Sequence, residues 1–470
     1  MSRESRGGGG TTVPAPNGGR SSLTGAPLGL RWLFPAASGP LTPLSLPHIL
    51  LGRGEDCGSV LSGAEISRHH AEIVRDGPLS ILRDLGSRNG SFVNGSLTRE
   101  APLALGDVVR LGEWVGMVTP IPADGTLEFK YGAIAPGLFG GPTMLAAVTP
   151  ALSAARSDLP VIIEGETGTG KELVARAIHT ASARPGNFIA VNCAALPEGL
   201  AEAELFGYRR GAFTGAARSS LGHFRAASGG TLLLDEVTDL PVPLQAKLLR
   251  ALEAREVVPL GESQPVRVDV RVIAAAQGSL QQAVDHKTFR ADLFARLDGL
   301  SICLPPLRER AEDVPYLFVR LLHDLGGGAP PALDPKLIER LCLHDWPLNV
   351  RELVTLVRRL LVIHGQEPTL TERHLPSRLR DGNRRRQAPN VAATESRSEG
   401  RREPPSQLER DELDFERLIQ ALRAHLGNVA RAAAVVGISR QRAYRLMQAR
   451  PDLDLETLRA AERARQQGLA

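Results

Sequence analysis

Residues 165–172 read GETGTGKE, closing the apolar run LPVIIEG and opening ELVARAIH, whose apolar residues recur at helical spacing. A glycine-rich turn between a strand and a helix lets backbone N–H groups wrap a phosphate at the helix N-terminus, where the first amides have no partner inside the helix. Gly165, Glu166, Thr167, Gly168, Thr169, Gly170, Lys171 and Glu172 are therefore the candidate nucleotide-binding residues, with Lys171 placed to reach the β- and γ-phosphates. The general pattern puts Ser or Thr after the lysine to hold Mg²⁺, and Glu172 stands there instead. Taken alone, the segment leaves open a turn that merely links strand to helix. A second segment, GGTLLLDE at 229–236, is an apolar strand ending in Asp235, placed to hold Mg²⁺, and Glu236, placed to polarise an attacking water. Together they predict an ATP-hydrolysing site.

The surrounding pattern agrees. Between about 138 and 304, helical segments alternate with the apolar runs NFIAVNC, GTLLLDE and VDVRVIAAA, which predicts an α/β domain with a mainly parallel sheet. Residues 305–376 turn helical, as a smaller lid would. A chain of 470 residues exceeds one hydrophobic core. Residues 28–119 show short apolar runs broken by Gly, Asn, Asp and Pro, the spacing of an all-β sandwich, with 120–137 as a linker. Residues 1–27 and 377–410 have little to bury and read as disordered. Residues 411–450 read as a helical segment and 451–470 as a tail. Cys57, Cys193, Cys303 and Cys342 lack the spacing of a zinc site or a disulfide framework and read as reduced, buried thiols. No run reaches the length of a membrane span and no signal-peptide core is visible, so the expectation is a cytoplasmic protein without a membrane partner. The net charge is only +4, yet from Arg417 to Pro451 there are several arginines and not one acidic residue, the footprint of a nucleic-acid contact.

GETGTGKE, VNCAALPE, ELFG, GAFTGA, GGTLLLDE, FRADLFARL, LPPLRER and WPLNVREL occur in the order seen in the AAA+ domain of bacterial enhancer-binding proteins, the activators of sigma-54 RNA polymerase. The resemblance implies ATP and Mg²⁺ as cofactors and gives GKE as a normal variant of the motif. By the same resemblance, Asn192 is a switch residue pairing with Glu236. Arg290 and Arg296 project into a neighbouring subunit's site, so that a homo-oligomeric ring, a hexamer in that family, is required. Arg351 reports nucleotide state from the lid, and Gly211, Ala212, Phe213, Thr214, Gly215 and Ala216 form the loop that contacts the sigma factor. Ala276 and Gln277 replace the Thr-Asn that usually ends the sensor strand, Leu348 replaces a glycine, and Tyr208 and Arg209 replace His and an acidic residue.

LGRGEDC, SRHHAEI and LRDLGSRNGSFVNG resemble the forkhead-associated (FHA) domain, a reader of phosphothreonine. Arg53 and Arg68 could pair with the phosphate, Ser67 could hydrogen-bond to it and Asn89 could hold the peptide backbone, while His70 ties loops together. An ordinary sandwich with turn-forming polar residues remains the alternative. FERLIQALRAHLGNVARAAAVVGISRQRAYRLMQ resembles the Fis-type helix-turn-helix, with Arg440, Gln441, Arg442, Tyr444 and Arg445 facing double-stranded DNA; a dimerising hairpin remains open. The expected fold is multidomain: an all-β FHA sandwich, an α/β AAA+ P-loop ATPase with a helical lid, and an all-α helix-turn-helix. The expected function is a sigma-54-dependent activator that binds an enhancer site, remodels the polymerase with ATP, and answers to a phosphothreonine protein or Ser/Thr kinase. The alternative is a non-hydrolysing phosphopeptide-reading scaffold or repressor.

Overall fold

The computed structural model describes residues 27–35, 41–121, 131–197, 199–214, 216–380 and Leu418. The expectations for the N-terminal segment to residue 26, the charged linker from 381, Gly215, the C-terminal helices with Arg440, Gln441, Arg442, Tyr444 and Arg445, and the tail lie outside the described residues.

The chain begins with a sandwich: β1 (Leu28–Phe34), β2 (Leu41–Pro43), β3 (His48–Gly52), β4 (Ser59–Val60), β5 (Ala71–Asp76), β6 (Leu79–Asp84), β7 (Ser91–Val93), β8 (Ser96–Thr98), β9 (Glu100–Leu103), β10 (Val108–Leu111) and β11 (Trp114–Pro120). One sheet runs β2-β1-β11-β10-β7-β8 and the other β4-β3-β5-β6-β9. Between them Trp32 and Trp114 meet edge to face at 6.0 Å among Leu51, Ile73, Leu82 and Val109. β12 (Gly132–Ala135), in the stretch expected as a linker, pairs with β13 (Leu138–Gly140), just past it.

The ATPase core follows: α1 (Pro142–Ser153), β14 (Val161–Glu164), α2 (Lys171–Ser182), β15 (Phe188–Asn192), α3 (Ala201–Phe206), α4 (Gly222–Ala226), β16 (Thr231–Asp235), α5 (Val242–Ala254), β17 (Glu256–Val257), β18 (Val266–Arg267), β19 (Arg271–Ala276), α6 (Leu280–Asp285), α7 (Ala291–Leu297) and β20 (Leu300–Cys303). Its main sheet is β15-β16-β19-β14-β20, paired in parallel throughout. Leu232, Leu234, Ala274 and Ala276 enter one core cluster, while Leu233, Ile273 and Ala275 enter another. Successive side chains of a strand point to opposite faces, so an uninterrupted apolar run is what a sheet covered on both faces requires. Three of the four cysteines are buried as expected, but Cys303 is exposed, because it ends β20 at the sheet edge.

The lid comprises α8 (Asp313–Gly326), β21 (Ala332–Leu333), α9 (Pro335–Leu343), α10 (Asn349–His364), β22 (Thr369–Leu370) and α11 (Ser377–Arg380). Its apolar core does not stop at the lid. Leu33, Val108, Val115 and Met117 of the sandwich belong to the same buried cluster as Phe318, Leu337, Leu341 and Trp346. All of β10 is buried, as is β11 from Trp114 to Thr119. The run DVVRLGEWVGMV carried this signal, since a half-solvated strand alternates and these do not.

At the stem of the loop 207–221, Phe206 stacks on Phe224 at 5.5 Å. Phe224→Ala should lower stability by about 3–5 kcal/mol, read as an earlier urea midpoint at unchanged slope.

Candidate functional site

The turn between β14 and α2 holds Gly165, Gly168 and Gly170 at φ of +154°, +80° and +106°. Gly170 precedes α2 without a side-chain cap, so the first amides of that helix keep their capacity to bind an anion. Lys171 is buried and its Nζ donates to the Gly165 carbonyl at 2.8 Å. Thr169 is buried, donating to the Glu166 carbonyl. Glu172 instead faces outward on α2 and pairs with Arg176 at 2.7 Å, an exposed helix pair of little energetic weight.

Asp235 and Glu236 emerge at the end of β16, and Asp235 Oδ1 accepts the Glu236 N–H at 3.1 Å. Glu236 adopts a left-handed conformation, φ 52°. Burial raises its carboxyl above the ordinary range; Lys171 and, more weakly, Arg351 oppose this, while Asp235 and Asp239 reinforce it. Asn192 lies in register with Asp235 on the next strand. Its Oδ1 accepts the Ala194 N–H at 2.9 Å, so the described side chain caps its own short turn rather than pairing with Glu236. Arg290 pairs with Asp292 at 2.6 Å, and Arg296 donates to the Leu252 carbonyl. Both guanidinium groups are exposed, so neither is committed to this chain's own site.

Three lid residues that carried no role in the sequence reading hold the turn. Arg308 forks onto the Glu166 carboxylate at 2.6 and 2.8 Å, which keeps that carboxyl below its usual range. Asn349 donates to Glu166 and to the Thr167 carbonyl and accepts the Leu307 N–H. Arg310, buried against Asp313, donates to the Thr169 carbonyl. The paired arginines of LPPLRER were visible, but their targets depend on how lid and core meet. Arg351 begins α10 beside Gly168, where an added Cβ would approach the Arg351 Cβ to 3.0 Å.

The departures from the usual pattern fit this geometry. Gln277 Nε2 donates to Thr167 Oγ1 at 2.8 Å, so the longer amide reaches the turn. Leu348 has φ −107°, a conformation open to any residue, and needs no glycine.

The loop 207–221 folds back on itself: Gly211 donates to Ala216, Ala216 to Phe213, and Tyr208 pairs with Ser220. Phe213 is half-buried against the Tyr208 ring at 5.0 Å, with Thr214 and Gly211 exposed beside it. Arg209 pairs with Glu262 at 3.2 Å and donates its N–H to Leu260, tying the loop to the segment before β18.

In the sandwich, the loops after β3, β4 and β6 bring Arg53, Ser67, Arg68 and Asn89 to one end. Arg53 N–H donates to Ser67, Ser67 Oγ accepts the Arg88 N–H, and Asn89 donates to Glu65. Arg53, Arg68 and Asn89 are exposed. Gly52 permits this closeness, because a Cβ there would stand 2.1 Å from the Arg68 carbonyl oxygen. His70, fully buried, accepts the Ser67 N–H at Nδ1 and faces the Gly90 carbonyl with Nε2, tying two of the loops together.

With that geometry in place, comparison with known proteins gives four family matches in sequence order: an FHA domain over 49–112, a sigma-54 interaction domain over 139–303, an AAA+ ATPase lid domain over 308–392, and a bacterial regulatory protein of the Fis family over 409–448. The transcriptional regulatory protein GlrR of Escherichia coli K12 is 40% identical over 318 residues, covering 67% of either chain. The chain belongs to the sigma-54-interacting AAA+ transcriptional regulators. The DNA-binding transcriptional regulator NtrC of Rhizobium meliloti strain 1021 is 39% identical over 61% of this chain and 63% of its own. The crystal structure of NtrX from Brucella abortus with ATP shares 31% identity over 65% of this chain and 67% of that one, at a TM-score of 0.47. The chain spans between two fifths and two thirds of the length of the curated relatives it matches. No helix among the described residues is long and apolar enough to cross a membrane.

An alanine Cβ at Gly168 would stand 2.3 Å from the Leu348 carbonyl oxygen, at a φ of +80° that L-residues avoid. Gly168→Ala should therefore push the lid off the turn and weaken ADP binding about tenfold or more, measured by titration of a fluorescent ADP analogue, with far-UV circular dichroism unchanged.

Proposed function

We propose that this regulator hydrolyses ATP in a ring of identical subunits and uses that work to open promoters held closed by sigma-54 RNA polymerase. The observation that carries the reading is the joining of one site to one arm: Lys171, Asp235 and Glu236 around the glycine turn, and GAFTGA on a loop of the same domain. Asp235, a half-buried carboxylate beside the turn, is the residue suited to hold Mg²⁺, which would offset the charge of the bound phosphates. Glu236, displaced by its αL backbone from the line of β16, is suited to orient the attacking water. Arg290 and Arg296, both exposed, can serve as fingers in a neighbouring subunit's site, which makes the ring obligatory for turnover. Asn192 and Arg351 flank Glu236 and are suited to report the γ-phosphate. The Gln277 contact with Thr167 supports a working sensor rather than a silent one.

Phe213, stored against Tyr208, is the apolar contact offered to the sigma factor, released with Gly211 to Ala216 when the nucleotide state changes. The Fis-type segment would hold the ring at an upstream DNA site in the cytoplasm. The exposed pair Arg53 and Arg68, with Ser67 and Asn89, is suited to a phosphothreonine on a partner or a Ser/Thr kinase, whose recognition would gate the ring.

Glu236→Gln should reduce steady-state ATPase at least about a hundredfold, within the range expected for losing general-base assistance, while leaving ADP binding within about twofold. Because burial raises Glu236 in the unliganded protein, and the base must be ionised, the acid limb of the kcat/KM profile should fall at a pH above the ordinary carboxylate range. A limb at the position of an exposed glutamate would count against Glu236 as the base.

Phe213→Ala should keep at least half of the ATPase activity yet abolish open-complex formation on a supercoiled sigma-54 promoter. Normal opening by that variant would remove the loop from the mechanism.

A further inference from the structure

The sandwich could have been a tethered module, free to move against the ATPase. Its β1–β11–β10 surface is instead built into the lid. Val108, Val115 and Met117 point away from the sandwich interior and lie buried with Leu337 and Leu341 of α9, while their neighbours Val109 and Val118 fill the interior. In the middle of this apolar contact sits a charge pair. Arg110 Nε donates to Glu339 Oε2 at 2.8 Å, with side-chain exposures of 8% and 3%. The guanidinium also lies over the Phe92 ring at 3.7 Å from its centroid, and the second Glu339 oxygen accepts the Gly95 N–H at 3.0 Å.

Both carboxylate oxygens of Glu339 are thus satisfied by the sandwich. Without it, α9 would carry a carboxylate in the middle of a bare apolar face. Losing one member of such a pair leaves a buried charge uncompensated, which makes the contact all-or-none.

We propose that this face is a dedicated dock for the lid, keyed by Arg110 and Glu339, and that it couples the phosphate-reading loops to the nucleotide site. The second half rests on the phosphothreonine reading above. The route is short at each end. Gly95 lies in the turn just past β7, and four residues, Ser91 to Asn94, separate it from Gly90 and the loop of Asn89, at most about 17 Å of extended chain. On the lid side, the chain leaving α9 passes Trp346, whose indole N–H donates to the Leu341 carbonyl of α9, and reaches Asn349 at the start of α10, which donates to the Thr167 carbonyl of the glycine turn. His344 and the Leu348 N–H both meet Glu352, fastening that connection to α10. This contiguous set of contacts links the two sites.

The test uses the full-length protein, with ADP as the probe and hydrogen exchange read by mass spectrometry at peptides covering β10 and β11. A sandwich that shares its core with the lid opens by exposing that core, so ADP should slow exchange there by about fivefold or more, the lower end of ordinary coupling. In Glu339→Ala the ADP effect on β10 and β11 should vanish while ADP still binds. In the double variant Arg110→Met with Glu339→Met, an apolar pair of similar reach, it should return. Should Glu339→Ala lose ADP binding through misfolding, Arg110→Met, which leaves every lid residue in place, gives the same reading. An ADP effect absent from the wild type, or undiminished in both single variants, overturns the dock.

A degenerate peptide pool with one fixed phosphothreonine, and its unphosphorylated twin, tests the coupling separately. Phosphopeptide affinity should differ with and without ADP in the wild type and be equal in Glu339→Ala. Equal affinity for both pools overturns the phosphothreonine reading and leaves the dock standing. A phosphopeptide affinity indifferent to ADP in the wild type overturns the coupling.

Discussion

Gly168 and Leu348 come so close that the glycine turn and the lid share one surface, with the Val350 N–H donating to the Gly168 carbonyl at 3.0 Å. Nearly everything else about the site depends on that approach. A turn that binds phosphate must present backbone amides rather than bury them, so it cannot hold itself together by ladder hydrogen bonds. The lid supplies the missing restraint: Arg308 on Glu166, Arg310 on Thr169 and Asn349 on Glu166 and Thr167. Each bond is made to the side of the turn that faces the lid, where it leaves the amides at the start of α2 open to an anion.

The same economy of contact organises the catalytic edge. In the parallel sheet, β15 and β16 end level with one another, which sets Asn192 beside Asp235 and one residue from Glu236. β19, on the other side of β16, ends in Ala276, and Gln277 beyond it reaches back to Thr167. Groups at the carboxyl ends of neighbouring parallel strands meet in one crevice whatever their separation along the chain. Gln277, Glu236 and Asp235 are therefore brought together by topology, and the side chains only refine their aim.

The sandwich extends the lid outward. An interface made of Val108, Val115, Met117 and a fully enclosed ion pair resembles the inside of a domain more than a contact between mobile modules. The loop of Phe213 lies at a different place on the ATPase core and is held by Tyr208 and by the Arg209–Glu262 pair. The arm therefore rests on an aromatic shelf, Tyr208, and on a charge clasp, Arg209 with Glu262.

Local chemistry was legible in the sequence wherever a backbone conformation or a strand period demanded it. The glycines of 165–170 announced positive φ and an anion; TLLLD announced a strand buried on both faces; SRHH and SRNG announced loops rich in groups that can hold a phosphate. What adjacent residues could not reveal was which distant surfaces meet. Arg308 and Arg310 stood in LPPLRER without an assigned partner, Glu339 carried no reading, and Leu348 was a missing glycine, because the meaning of each lies in a partner more than a hundred residues away. The mostly apolar, non-alternating β10 and β11, with Arg110 among them, were the one local hint that a second core lay behind the sandwich. Spacing and composition determined the elements and the chemistry of their ends; tertiary packing decided which charges were buried, and a buried charge is defined by what surrounds it rather than by its place in the chain.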